Sequence, residues 1–153
     1  MYYVTVILLM LVCPAMGVVL EAAALHSTAH IGFLIAKWFV FWMVGVRLFA
    51  AGVRQALQPQ FSAGEIFGAR TAESWPIVRE VGFGNIAIGT LGIGSLFLSA
   101  WILPAAVVGG LCYGLAGLLH ASRKGKNAME QTAMVSDAFA FLVLLFAAMK
   151  IPI

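Results

Sequence analysis

The chain reads as all-α, a polytopic bundle of transmembrane helices, on three observations. Of its 153 residues, 63% are hydrophobic and only 10% are charged, and the mean hydropathy is +1.02. That composition suits lipid better than water. Five segments hold the roughly 20 apolar residues that a helix needs to cross a bilayer. Most of the nine lysines and arginines gather on one side of those segments. Residues 1–153 form a single integral membrane domain, with no soluble domain, low-complexity tract or internal repeat.

The first span runs from Tyr2 to Leu25. The second, from Ala29 to Leu57, is longer than a span requires. The third runs from Pro76 to Ala100, the fourth from Ile102 to Ser122 and the fifth from Glu130 to Lys150. Four of these form a core, with one helix added. His26-Ser27-Thr28 offers hydroxyl caps to the second helix. Ser74-Trp75-Pro76 starts the third with a cap, an interfacial aromatic and a proline whose missing N–H costs little there. Ser99 to Pro104, with Trp101 inside, repeats that arrangement. Arg123-Lys124-Gly125-Lys126-Asn127 closes the fourth helix and opens the fifth.

The loop between the second and third spans has structure of its own. Ser62-Ala63-Gly64-Glu65 fits a capping box, and Phe61, Ile66 and Phe67 supply an apolar side. A short interfacial helix over 61–68 is expected.

Five spans put the 58–75 and 123–129 loops on one side, with Arg70, Arg123, Lys124 and Lys126, and with Arg54 and Arg79 at adjoining helix ends. The 26–28 and 99–101 turns carry no lysine or arginine, and only Lys150 ends on their side. The positive-inside rule then predicts a multi-pass protein of the cell inner (plasma) membrane, N-terminus cytoplasmic and C-terminus outside. A cleavable signal peptide is not expected, because the first segment lacks a basic n-region. The net charge of +3 reflects topology rather than nucleic-acid binding.

Glycines crowd the third and fourth helices. Membrane helices associate through close backbone approach, since lipid does not drive them together. Asn85, Gly89 and Gly92 share one face, as do Gly110, Gly114 and Gly117. These two faces are expected to meet.

Ionisable residues inside spans suggest function. At about 1.5 Å per residue, Arg47, Asn85 and Asp137 fall at one depth in the cytoplasmic half. Arg54, Glu80, His120 and Glu130 form a shallower ring, and Tyr113 faces the same way as His120. Arg47 with Asp137, and Arg54 with Glu80 or Glu130, are the expected ion pairs. Together these groups would enclose a polar cavity. The plainer alternative is that buried ion pairs only fix helix register. On the opposite side, Glu21 is expected to pair with Lys37. No metal site is expected: His26 and His30 have no third ligand. Cys13 and Cys112 fit no CxxC or zinc pattern and read as small buried residues, and no bis-histidine pair suggests haem, so the cofactor is left unassigned.

Several segments carry a resemblance. They are the run from Arg47 to Pro59, Arg79-Glu80-Val81-Gly82-Phe83-Gly84-Asn85, Trp101 to Ala106, Gly109 to Gly117 with His120, and Met134-Val135-Ser136-Asp137. Together they resemble a family of small bacterial integral membrane proteins known as a domain of unknown function, over residues 37–146. A looser similarity is to the DoxX-like superfamily of four-helix membrane proteins, carried by Arg47 with Gly52 and Glu80 with Gly82 and Gly84. That similarity would imply quinone-related redox or accessory roles. The additional first helix departs from its pattern.

Three functions are open. In the first, a small lipophilic molecule (quinone-, isoprenoid- or lipid-like) enters from membrane lipid. Arg47, Arg54, Asn85, Tyr113 and Glu130 would bind it. In an enzymatic version His120, Glu80 or Asp137 would move protons. In the second, the chain is an accessory or assembly subunit of a larger membrane complex, or forms a homo-oligomer. In the third it transports protons or a small solute. No nucleophile elbow, phosphate loop or metal signature selects a reaction.

Overall fold

The computed structural model describes residues 2–27, 29–66, 68–69 and 71–151. Among these the chain is all-α, with five long helices and one short helical segment. Helix α1 is Tyr2–Ala24, α2 is Ile31–Leu57, α3 is Trp75–Gly94, α4 is Ile102–Ser122 and α5 is Ala128–Lys150.

Four of the long helices are long and apolar enough to cross a membrane: α1, α2, α4 with the 3-10 turn Ser99–Trp101 that leads into it, and α5. The five expected spans thus reduce to four by this measure. Helix α3 falls short because Arg79, Glu80, Asn85 and its many glycines dilute 20 residues that end at Gly94, not at Ala100.

Two helices carry wide, π-helical stretches. In α1 the stretch is Leu8–Val12, where the Cys13 N–H bonds to the Leu8 carbonyl five residues back. Pro14 follows at once. A proline clashes with the carbonyl four residues before it and offers no N–H, and a widened turn relieves both problems. In α2 the stretch is Val40–Leu48 and contains Gly45 and Arg47.

The helix starts use other caps than the hydroxyls suggested. Ser27 Oγ accepts from the Ala29 N–H at 3.1 Å, yet α2 begins only at Ile31, after His30, with no side-chain cap. Thr28 lies outside the described residues. Ser74 donates back to the Thr71 carbonyl at 2.7 Å instead of capping α3, while Pro76 does sit in the first turn. Asn127 is a true cap: its Oδ1 accepts from the Glu130 N–H at 2.8 Å.

Helix α2 is the central helix of the bundle. Its seam with α3 is made of glycine. A Cβ added to Gly45 would lie 2.8 Å from the Ile93 nitrogen, one on Gly52 2.6 Å from the Gly82 oxygen, and one on Gly89 2.5 Å from the Phe49 nitrogen. The two backbones therefore touch along this line, as small residues permit. The expected meeting of the α3 and α4 glycine faces is corrected here. Gly82, Gly89 and Gly92 of α3 face α2. The α4 set faces α5, with Gly114 against Phe141, Gly110 against Leu144 and Gly117 against Asp137. The core proper is formed by Val40, Met43, Val44, Ile102, Tyr113 and Leu144 among others.

The expected interfacial helix is shifted. A helical turn over Pro59–Phe61 runs into a wide turn over Ser62–Ile66. Ser62 and Ala63 are buried and Glu65 is exposed, so no reciprocal capping box forms. Asn127 Nδ2 instead donates to the Glu65 carbonyl at 2.8 Å, tying this segment to the start of α5. Phe67 and Arg70 lie outside the described residues.

Candidate functional site

At the end of the bundle where α1, α3 and α5 begin and α2 and α4 finish, the helices enclose a cavity of about 770 Å³. That is within the usual range for small-molecule sites, roughly 300–1,000 Å³. All five helices line it, and Phe61, Ser62 and Ile66 cover its end. Its walls are mainly aliphatic, from Val6 and Leu9 on α1 to Val78 and Val81 on α3.

The polar groups converge from four helices. Arg47 reaches from α2 to α5, where its Nη2 lies 3.6 Å from Asp137 Oδ1 and donates to Ser136 Oγ at 3.1 Å. Its guanidinium sits 5.1 Å from the centre of the Tyr113 ring, a cation–π arrangement. Tyr113 is buried and its hydroxyl donates to the Met43 carbonyl at 2.6 Å. Arg47 and Asp137 side chains are only 14% and 8% exposed. Charges this buried need one another, because removing either leaves an uncompensated ion.

Asn85 lines the cavity from α3. Its Nδ2 donates to Gln55 Oε1 at 2.8 Å, and its Oδ1 lies 3.8 Å from the Cys112 sulfur, within reach of a weak S–H donor. His120 lines the cavity from α4. Behind it, His120 Nδ1 lies 3.3 Å from Glu130 Oε1, and Arg123 Nη1 lies 3.0 Å from the same oxygen. Glu130 therefore ties the end of α4 to the start of α5.

Arg47, Arg54, Asn85, Tyr113, His120 and Asp137 are thus brought to one cavity. Glu130 stands behind His120 and does not line the cavity among the described residues. Glu80 does not join them. It is exposed on α3, because the face of that helix that packs is the one carrying Val78, Gly82 and Gly89. The expected pairing of Arg54 with Glu80 or Glu130 is likewise corrected. Arg54 lies 3.6 Å from the centre of the Phe61 ring, and Glu130 is taken by Arg123 and His120.

Gln55, Cys112 and Ser136 belong to the site and were not expected there. Each is the chain neighbour of an expected residue: Arg54, Tyr113 and Asp137. A polar neighbour on a helix shifts by about 100° in phase, so sequence spacing alone does not separate the two. Cys112 was expected to be a small buried residue; half-buried on the cavity wall, it is one of its few polarizable groups.

Chemically the cavity offers a neutral ion pair, two amides and a thiol. The Tyr113 hydroxyl is committed to a backbone carbonyl. Among the described residues of the cavity wall, the His120 imidazole and the Asp137 carboxylate are the groups suited to hold or release a proton, beside the weaker acids Tyr2 and Cys112. Comparison with protein-family models, curated proteins and solved structures returns no match to this chain, so neither resemblance gains support there.

Proposed function

We propose that the chain is a five-span inner-membrane protein that binds a small lipophilic molecule in the cavity at its cytoplasmic end. The observation that carries this reading is the cavity itself. About 770 Å³ of mainly aliphatic space meets Arg47, Asn85, His120 and Asp137 on its wall. Helices that only needed ion pairs for register would close around them, since protein interiors pack without voids of this size. Apolar walls with a few convergent polar groups are the usual form of a small-molecule site.

The rim supports entry from lipid. Thr5, Ala50, Ile77 and Val81 all line the cavity and are all exposed. No substantial packing joins α1 to α3, so the cavity opens sideways between them. The orientation rests on Arg123, Lys124 and Lys126, which follow α4 at the cavity end, together with the positive-inside rule. Helix α3 would complete the five spans, its charges at the interface.

Extraction of small molecules from gently purified protein, followed by mass spectrometry, tests the reading. The control is the double variant Arg47→Met with Asp137→Leu, which removes both charges together and so spares the fold an orphan ion. One lipophilic compound enriched with the wild type and lost from the variant supports the site. Enrichment of nothing, from protein that stays folded, would move the assignment to an accessory subunit.

A further inference from the structure

Two arginines line the cavity, and they are not equivalent. Arg47 is neutralised by Asp137 at 3.6 Å and fixed further by Ser136. Arg54 has no carboxylate within ion-pair distance among the described residues. Asp137 is the only carboxylic acid among the described lining residues, and Arg54, exposed at the cavity mouth, places a positive charge there.

Arg54 is also oriented. Its guanidinium stacks on the Phe61 ring with 3.6 Å between them. Stacking occupies the flat face of the group and leaves its N–H edge free, and that edge matches carboxylate and phosphate oxygens in pairs. Seven residues separate it from Arg47, an axial distance of about 10 Å. Between the two arginines the wall is mainly apolar, with Leu48, Ala50 and Ala51 on α2 and Val78 and Val81 on α3, and the Asn85–Gln55 amide pair is its polar part.

Resting on the reading of the cavity as a lipophilic-ligand site, we infer that its ligand is a single-chain anionic amphiphile. The carboxylate or phosphate head binds Arg54 over Phe61, and the chain lies along the apolar wall toward the Arg47–Asp137 pair. The inner arginine is then a fixed part of the scaffold, and the outer one reads the charge of the head.

Equilibrium binding of dodecyl phosphate, dodecanol and inorganic phosphate to the full chain in neutral maltoside detergent tests this. Dodecyl phosphate should bind at least about tenfold tighter than dodecanol, a difference of the size one charge-assisted contact supplies. Arg54→Gln should erase that preference while leaving dodecanol binding unchanged. Arg54→Lys should keep part of it, since the charge remains without the fork. Added salt should reduce the preference.

Equal affinity for the alcohol and the phosphate, or a preference that survives Arg54→Gln, overturns the inference and leaves the cavity reading standing. Competition by inorganic phosphate as strong as by dodecyl phosphate overturns it in favour of a free anion. If neither dodecyl compound binds, the inference falls, and the extraction experiment decides separately whether the cavity reading falls with it.

Discussion

The bundle holds an ion pair at each end, and the two differ in what surrounds them. At one end Lys37 Nζ lies 2.8 Å from Glu21 Oε1, and Trp38 Nε1 donates to the same carboxylate at 2.6 Å. The Trp38 ring fills the place a side chain at Gly17 would need. Both carboxylate oxygens are engaged, and the pair is partly exposed at the surface of the bundle. At the other end Arg47 and Asp137 face a cavity of about 770 Å³. A charged pair inside a membrane bundle is therefore no sign of function by itself. The space left beside it is what separates a site from a clasp.

Asp137→Ala is the sharpest way to break the comparison. It leaves Arg47 buried without its carboxylate and should cost about 3–5 kcal/mol, read as a large fall in Tm in detergent. The Arg47→Met, Asp137→Leu double variant should recover most of that loss. If it stays as unstable as the single variant, the pair is needed for more than mutual neutralisation. Gly89→Val comes next. It places side-chain atoms where the Phe49 backbone already lies, and overpacking of this kind costs about 1–3 kcal/mol. Thermal unfolding monitored by circular dichroism reads it.

At the clasp, Glu21→Gln should lose about 1 kcal/mol, because a neutral amide still accepts one hydrogen bond and the pair is partly exposed. Ligand recovered by extraction should not change. A loss of ligand would show that the two ends are coupled. Smallest of all, Glu80→Gln should alter neither Tm nor extracted ligand, since Glu80 is exposed away from the cavity. A measurable loss of ligand there would return Glu80 to the site.

Much of this was legible in residue spacing. The Arg47–Asp137 and Glu21–Lys37 pairs follow from counting depth along apolar helices, where a charge has few places to go. The cavity's end of the bundle follows from the same count. What spacing did not carry was which helix meets which. Gly89 and Gly110 are equally good surfaces for close approach, and only the fold assigns one to α2 and the other to α5. Glu130 was misassigned because Arg123, in the turn after α4, reaches back to it. The polar content of α3 had a double meaning as well. Glu80 and Asn85 are both expected at the site, whereas Asn85 faces the cavity and Glu80 does not.

The glycine seam also decides where this molecule is stiff. Along Gly45, Gly52 and Gly89 the α2 and α3 backbones have no side chains between them to slide or repack. They behave as one plank. The first half of α1 has no such seam with α3; it packs through Val6 and Met10 into the core, and its widened turn at Leu8–Val12 carries Leu9 of the cavity wall. An aperture between α1 and α3 is thus bounded on one side by this plank and on the other by a helix that shares no glycine seam with it.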